Sequence, residues 1–294
     1  MQTHAEPKSR SLSVVIPARN EGAGLQMLLP ALRKVLPQNT KIIVVNDGSN
    51  DDTLAVCEAQ GVKVVHHRYP KGNGAAIKSG ARAAMGEILL FMDADGQHKP
   101  EDIPRLLQKL EDGYDMVVGA RSFASQAGAH RALANGFYNK LSSWMVGQPI
   151  QDLTSGFRAV RADKFRKFLY LLPNGFSYPT TITMSFFRAG YSVAYVPIIA
   201  PERIGKSHVR LFRDGVRFLL IIFKIGTLYS PLKLFLPISL GFFLTGLVNY
   251  IYTFLTIHRF TNMSALLLVT AVLIFLMGLI SEQITSLNYK DGGQ

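Results

Sequence analysis

The chain has a single cysteine, Cys57, among 294 residues. One thiol forms no internal disulfide, which suits a reducing compartment, and Cys57 is expected to fill space on a helix. Acidic side chains are scarce: 20 Asp and Glu stand against 32 Lys and Arg, a formal net charge of +12. The first ten residues, MQTHAEPKSR, hold no apolar run, so no secretory signal is expected. There is no internal repeat and no low-complexity linker, which sets repeat architectures aside.

Two stretches lack charge altogether, residues 234–257 and 260–281. Each exceeds the roughly 20 residues that a helix needs to cross about 30 Å of hydrocarbon. Buried core helices are the plainer alternative, but two such runs side by side favour a membrane hairpin. His258 and Arg259 leave only a short link between them, which places both long polar parts on one side. Charge gives the side: Arg203, Lys206, Arg210, Arg213, Arg217, Lys224 and Lys233 face only Asp214 on the approach to the first run. The positive-inside rule makes that end cytoplasmic. An integral protein of the cytoplasmic (inner) membrane is expected, with its polar part in the cytoplasm. The excess charge lies beside the spans, without the aromatic–basic interleaving of a single-strand binder, so nucleic acid is not expected as a partner.

Apolar, β-branched runs at 13–18, 42–47, 62–67, 87–95 and 115–120 read as strands, with helical patterns between them. That alternation implies an α/β, mostly parallel, Rossmann-like sheet with helices on both faces. Residues 122–160 are less regular; helices at 163–172 and near 180–190 and a strand at 192–198 follow. In the segment SHVRLFRDGVRFLLIIFKIG, Arg210, Arg213, Arg217 and Lys224 fall within about 60° on a helix, and most of the rest is apolar. The expectation is an amphipathic helix in the membrane interface, its basic face toward phosphates.

Ligands of such sheets sit beyond the carboxyl ends of the strands, where the polar motifs fall. FMDADGQHKPED at 91–102 alternates Asp93, Asp95 and Gln97 past an apolar run. It is either a polar loop or the seat of a hard cation, which takes oxygen ligands and completes its shell with substrate phosphates. His98 has no second His or Cys at a matching spacing and reads as structural. Asp47, in AsnAspGlySerAsnAspAspThr at 46–53, can accept hydrogen bonds from a nucleobase or ribose, while Asp51 and Asp52 read as helix caps. LysGlyAsnGly at 71–74 opens a helix whose N-terminus, with Lys71, favours an anion. GlyAlaGly at 22–24 follows a strand, with Asp47 downstream, but Met27 replaces the third glycine of a dinucleotide fingerprint, so a nicotinamide enzyme is not expected.

ProAlaArgAsnGlu, AsnAspGlySerAsnAspAspThr, LysGlyAsnGlyAlaAla, AspAlaAspGlyGlnHis, GlyAlaArgSer and AspLeuThrSerGlyPheArg, in this order, resemble the family 2 glycosyltransferases of GT-A fold. More narrowly they resemble the polyprenyl-phosphate glycosyltransferases, among them dolichyl-phosphate mannose synthases and bacterial undecaprenyl-phosphate sugar transferases. The resemblance covers roughly residues 11–230; GluArgIleGlyLysSer at 202–207 and Glu282 at the end of the second span extend it. It implies a GT-A catalytic domain over 1–206, an amphipathic juxtamembrane segment over 207–232 and two transmembrane helices over 233–287, at about 234–257 and 262–284.

It also implies a nucleotide-sugar donor (a UDP- or GDP-sugar), Mg²⁺ or Mn²⁺, a polyprenyl phosphate acceptor and inversion at the anomeric carbon. Carried over residue by residue, Asp93, Asp95 and Gln97 are metal ligands. Pro17, Arg19, Glu21, Asp47 and Lys71, with Asp93 and Asp95, bind the nucleotide sugar. Arg121, Arg131, Asn135, Arg203 and Lys206 meet the acceptor phosphate, and Asp95 with Arg121, Arg131 and Arg203 forms the catalytic set. A processive polysaccharide synthase is the nearest alternative, but the one tryptophan, Trp144, lacks that group's GlnXxxXxxArgTrp context. A membrane scaffold that binds a nucleotide sugar without turnover is the other. Self-association is a further expectation, because a two-helix hairpin buries little surface within itself.

Overall fold

The computed structural model describes residues 10–121, 129–175, 177–199, 223, 226–227 and 230–290, the side chains at 129–135 and 288–290 excepted. The chain divides into two units, Met1–Ser143 with Gln148–His208, and Trp144–Gly147 with Val209–Gln294.

In the first unit the apolar runs become strands: β1 (Leu12–Ala18), β2 (Lys41–Asn46), β3 (Lys63–His66), β4 (Ile88–Phe91), β5 (Met116–Arg121), β6 (Arg158–Arg161) and β7 (Val193–Ile198). They form one sheet in the order β3-β2-β1-β4-β6-β5-β7. The β1–β2, β1–β4, β2–β3 and β5–β7 pairs are parallel, and β6 runs antiparallel to β4 and β5. This is the mixed, mostly parallel α/β sheet expected of a GT-A domain. The helices are α1 (Gly22–Val35), α2 (Thr53–Ala59), α3 (Asn73–Ala83), α4 (Ile103–Glu111), α5 (Ala129–Val146), α6 (Ala162–Arg166) and α7 (Tyr178–Arg188).

Every residue of β1 is buried, because both faces of the sheet are covered. Strand alternation divides the apolar side chains between two cores. Val14 and Ile16 join Leu25, Leu29 and Leu32 of α1 on one face. Val15 joins Ala76 and Ile77 of α3, with Phe165, Tyr178 and Ile182, on the other. Leu29 is fully buried, so Leu29→Ala is expected to cost about 2–5 kcal/mol. Denaturant unfolding checks this as a lower midpoint with an unchanged slope; an unmoved midpoint contradicts the packing of α1.

Three elements differ from expectation. The strand expected over 87–95 ends at Phe91, so the acidic triplet lies in a loop rather than on a strand end. The stretch 122–160, read as irregular, contains the long helix α5 and leads into the antiparallel strand β6. The helix expected over 163–172 is shorter, Ala162–Arg166, and gives way to turns.

In the second unit, α8 (Pro231–Ile257) and α9 (Asn262–Lys290) form a helical hairpin. His258, in the left-handed region at φ 53°, closes α8. Both helices are long and apolar enough to cross a membrane, and little of either is buried within the unit. Polar groups tie them together: Ser239 Oγ donates to the Ala271 carbonyl at 2.8 Å, and Ser264 Oγ to Asn249 Oδ1 at 2.8 Å. At the other end Glu282 Oε2 accepts the Leu232 N–H at 3.2 Å, in the first turn of α8. A carboxylate there satisfies an otherwise orphaned donor and complements the helix dipole. The amphipathic segment expected over 207–232 lies mostly outside the described residues.

Candidate active site

The loops leaving β1 and β2 are stitched to each other. Asn20 N–H donates to Ser49 Oγ at 3.0 Å, Glu21 N–H to Thr53 Oγ1 at 3.0 Å and Gly22 N–H to Asp51 Oδ2 at 3.1 Å. In return Asn50 N–H donates to Asn20 Oδ1 at 2.9 Å. Asp51, read as a helix cap, accepts the Thr53 N–H at 3.1 Å while also bridging to Gly22. Burial opposes its ionised form, but the Thr53 and Gly22 hydrogen bonds prevail and hold its pKa below the usual carboxylate range. Asp52 stands at the α2 N-cap without a side-chain capping bond. Pro17 is buried in β1, Arg19 is exposed and Glu21 is partly buried at the head of α1.

Asp47 follows directly on β2 and is almost wholly buried. Its Oδ1 accepts the Lys71 N–H at 2.8 Å and its Oδ2 the Gly72 N–H at 2.8 Å. Oδ1 also meets His67 Nδ1 at 2.7 Å. Burial again opposes ionisation, but these donors outweigh it and lower the pKa. The Asp47 carboxylate therefore fastens the turn that carries Lys71, whose own side chain is exposed over the Tyr69 ring.

The expectation that the N-terminus of α3 is open to an anion meets a different arrangement. The Gly74 and Ala75 N–H groups donate to the Gly175 and Asn174 carbonyls, each at 3.1 Å. Lys78 Nζ reinforces this contact with the Leu172 carbonyl at 3.0 Å and Asn174 Oδ1 at 2.6 Å. That helix end thus anchors the 172–175 loop.

Asp93, Asp95 and Gln97 are all partly exposed in the loop after β4. Asp95 Oδ1 accepts the Gln97 N–H at 3.2 Å, which folds the loop back on itself. His98 accepts the Asp93 N–H through Nδ1 at 3.1 Å and stacks on Phe157 with ring centroids 5.0 Å apart. Burial pushes the His98 pKa down to about 4, so the ring is neutral and serves as a brace for the loop. Two glycines let backbone close on this loop. A Cβ at Gly24 would lie 2.3 Å from the Ala94 carbonyl oxygen, and one at Gly156 would lie 2.8 Å from Asp93 Oδ2. Two carboxylates and an amide oxygen are hard donors and fit Mg²⁺ or Mn²⁺. Among the described residues no cluster of three His, Cys, Asp or Glu could hold a metal alone. A cation held here takes the rest of its shell from water or substrate oxygens.

Arg121, at the end of β5, makes a forked pair with Asp152: Nε donates to Oδ2 at 2.8 Å and one terminal nitrogen to Oδ1 at 3.0 Å. The same terminal nitrogen reaches Thr154 Oγ1 at 2.7 Å. Burial lowers the Arg121 pKa, yet the Asp152 bonds and the charges of Asp152, Asp93 and Asp95 raise it overall. Arg121 is thus a permanent cation held beside the acidic loop. Behind it Arg158 is fully buried, bonded to the Ser155 and Pro179 carbonyls and to Thr183 Oγ1. Asp152, Thr154 and Arg158 belong to AspLeuThrSerGlyPheArg, a motif quoted above without roles for its members. Arg131 and Asn135 fall in α5, where their side chains are outside the described part, and Arg203 and Lys206 lie outside the described residues.

Comparison with known proteins agrees with this fold. Residues 13–169 match Glycosyl transferase family 2, and residues 230–287 match the GtrB C-terminal hairpin. The chain is 32% identical over 212 residues to a polyprenol monophosphomannose synthase of Mycolicibacterium smegmatis, covering 67% of this chain and 79% of that protein. It is 31% identical over 212 residues to an undecaprenyl-phosphate mannosyltransferase of Micrococcus luteus, covering 66% and 85%. The glucosyl-3-phosphoglycerate synthase of Mycobacterium tuberculosis, crystallised with Mn²⁺ and UDP-glucose, superposes with a TM-score of 0.61 at 22% identity, over 74% of this chain and 79% of that one. At that identity the likeness establishes the fold.

Proposed function

The chain belongs to glycosyl transferase family 2, and on that premise we propose that it transfers one sugar from a UDP- or GDP-sugar to a polyprenyl phosphate, undecaprenyl or dolichyl, at the cytoplasmic face of the membrane. One observation carries this reading: a family 2 sheet, with acidic oxygens at the β4 exit, shares a chain with an apolar hairpin of the GtrB type. The names of the relatives, which specify polyprenol and undecaprenyl phosphate, support it.

In this reading Asp93, Asp95 and Gln97 would hold Mg²⁺ or Mn²⁺ by oxygen. When bound, that ion neutralises charge on the departing nucleoside diphosphate. Pro17, Arg19, Glu21, Asp47 and Lys71 form the nucleotide side of the site, with Asp47 acting through the turn that it fastens. The acceptor phosphate is itself the nucleophile. Its second pKa is about 6, so it is largely ionised at neutral pH and needs no strong general base. A phosphate oxygen forms the new bond to the anomeric carbon as the bond to the diphosphate oxygen breaks, and the electron pair leaves with the diphosphate. This is a single displacement with inversion.

Arginine suits the guidance of a charged nucleophile, because its fork matches phosphate oxygens. Arg131, Arg203, Asn135 and Lys206 are assigned that task. Arg121, whose fork is engaged by Asp152, contributes its fixed charge beside Asp93 and Asp95. Residues 1–206 make the cytoplasmic catalytic domain, 207–232 an amphipathic segment on the membrane surface and 233–287 the anchor. The exposed apolar faces of the hairpin suit lipid and a second copy of the chain.

The test incubates purified protein and undecaprenyl phosphate with Mn²⁺ and a panel of UDP- and GDP-sugars, following nucleoside diphosphate release. Release that needs both lipid and metal is expected. Release without lipid contradicts the acceptor. Nucleotide binding without turnover across the panel indicates a membrane scaffold instead.

A further inference from the structure

Besides the acidic loop, the sheet unit contains a line of polar side chains in which Asp47 and His67 are buried and Ser79 is partly buried. His67 lies between Asp47 and Ser79: Nδ1 is 2.7 Å from Asp47 Oδ1, and Nε2 is 2.9 Å from Ser79 Oγ. Asp47 and His67 are each 4% exposed. Parallel pairing explains the encounter. Asn46 is in register with His66, so Asp47 and His67 leave the sheet side by side, and His67 N–H continues the ladder to the Asn46 carbonyl at 2.9 Å. Asp47 is lowered in pKa and accepts, so Nδ1 carries a hydrogen toward it, and Nε2 pairs with the Ser79 hydroxyl.

The order Ser–His–Asp is that of a nucleophile relay, but the surroundings differ. Ser79 sits in the middle of α3, and Asp47 also holds two backbone N–H groups. In a nucleophile relay the hydroxyl must face a substrate. Here the line closes a ring instead: Asp47 clamps the Lys71–Gly72 turn, that turn opens α3, α3 carries Ser79, Ser79 bonds His67, and His67 returns to Asp47. Among the described residues His67 is the one side chain that bonds Asp47, and it meets Oδ1, the oxygen that also takes the Lys71 N–H.

We infer that His67 and Ser79 are positioning residues for the donor nucleotide, holding Asp47 in the orientation that shapes the Lys71–Gly72 turn. The inference rests on the assignment of that turn to the nucleotide side of the site. Neither residue touches the ligand; each acts through Asp47. Loss of the relay loosens the turn before the nucleotide arrives, so the cost falls on donor binding rather than on the chemical step.

The test measures nucleoside diphosphate affinity by calorimetry, and donor KM and kcat, for His67→Phe, His67→Asn, His67→Gln, Ser79→Ala and Lys71→Ala. His67→Phe is expected to weaken nucleotide binding and raise donor KM about tenfold, the loss of one good hydrogen bond, with kcat within about threefold. His67→Asn places its amide nitrogen near the Nδ1 position and is expected to recover most of the loss. His67→Gln, with its nitrogen near Nε2, is not. Ser79→Ala, a mild change inside a helix, is expected to show a smaller rise in KM and keeps the test alive if His67→Phe does not fold. Equal behaviour of the Asn and Gln variants, or an unchanged KM in both His67→Phe and Ser79→Ala, overturns the inference. If Lys71→Ala also leaves nucleotide affinity unchanged, the assignment of the turn itself fails.

Discussion

Asp95→Asn is expected to reduce sugar transfer on the order of a thousandfold while leaving the folded protein intact. The substitution removes one charged oxygen from the partly exposed acidic loop but keeps the size of the side chain. The Gln97 N–H retains an oxygen partner at that position. Stability is therefore expected to change by no more than about 0.5 kcal/mol. Nucleoside diphosphate release in the presence of Mn²⁺, paired with a thermal melt, checks both halves. Full activity in a folded Asp95→Asn protein contradicts the metal site at this loop.

Asp152→Ala is expected to be the most destabilising single change near the site, by about 3–5 kcal/mol, because it leaves the largely buried Arg121 without its fork partner. The Asp152 carboxylate also accepts the Arg121, Thr154 and Ser155 N–H groups at 3.1–3.2 Å, so the variant orphans backbone donors as well. A pH signature accompanies it. Burial alone would raise the Asp152 pKa, but the Arg121 hydrogen bonds and charge lower it overall. The folded value thus lies below the unfolded value of about 4. As pH falls, the unfolded chain takes up the proton first. The contribution is complete above about pH 4 and fades as pH drops through the folded value. Asp152→Ala is expected to remove that part of the acid sensitivity. Urea unfolding at pH 3 and at pH 7 measures it; the same free-energy loss at both values contradicts an ionised Asp152 as the source.

The parts of the fold that were legible in the sequence are those in which one local signal is strong. Val14, Val15 and Ile16, or Leu89, Leu90 and Phe91, are buried on both faces of the sheet and read as unbroken apolar runs. The hairpin was legible because nothing charged interrupts either run. Asp93 and Asp95 misled the strand boundary, since alternation with Ala94 imitates the strand period although the chain turns after Phe91. Strand β6 was hidden because it opens on Arg158, a charged residue that becomes fully buried only when the carbonyls of Ser155 and Pro179 surround its guanidinium. Helix α5 carries Asn135, Gly136 and Asn139, which weaken a helical pattern.

The motifs named the carboxylates and arginines but not their partners. Arg121 and Asp152 are 31 residues apart in sequence, and His67 meets Asp47 across 20 residues. Those contacts arise from strand neighbours and loop closure, which no local spacing encodes. Lys71 stood out beside its glycines, yet the sequence did not reveal that the helix N-terminus after it binds the chain's own carbonyls.

The central claim is the transfer of one sugar to one lipid phosphate. Its most direct measurement is the mass of the lipid product formed by the full chain in undecaprenyl-phosphate vesicles with a single active donor and Mn²⁺. The account predicts a polyprenyl phosphate heavier by one glycosyl residue, formed in proportion to nucleoside diphosphate released. A ladder of longer sugar chains, or free sugar with unmodified lipid, contradicts it.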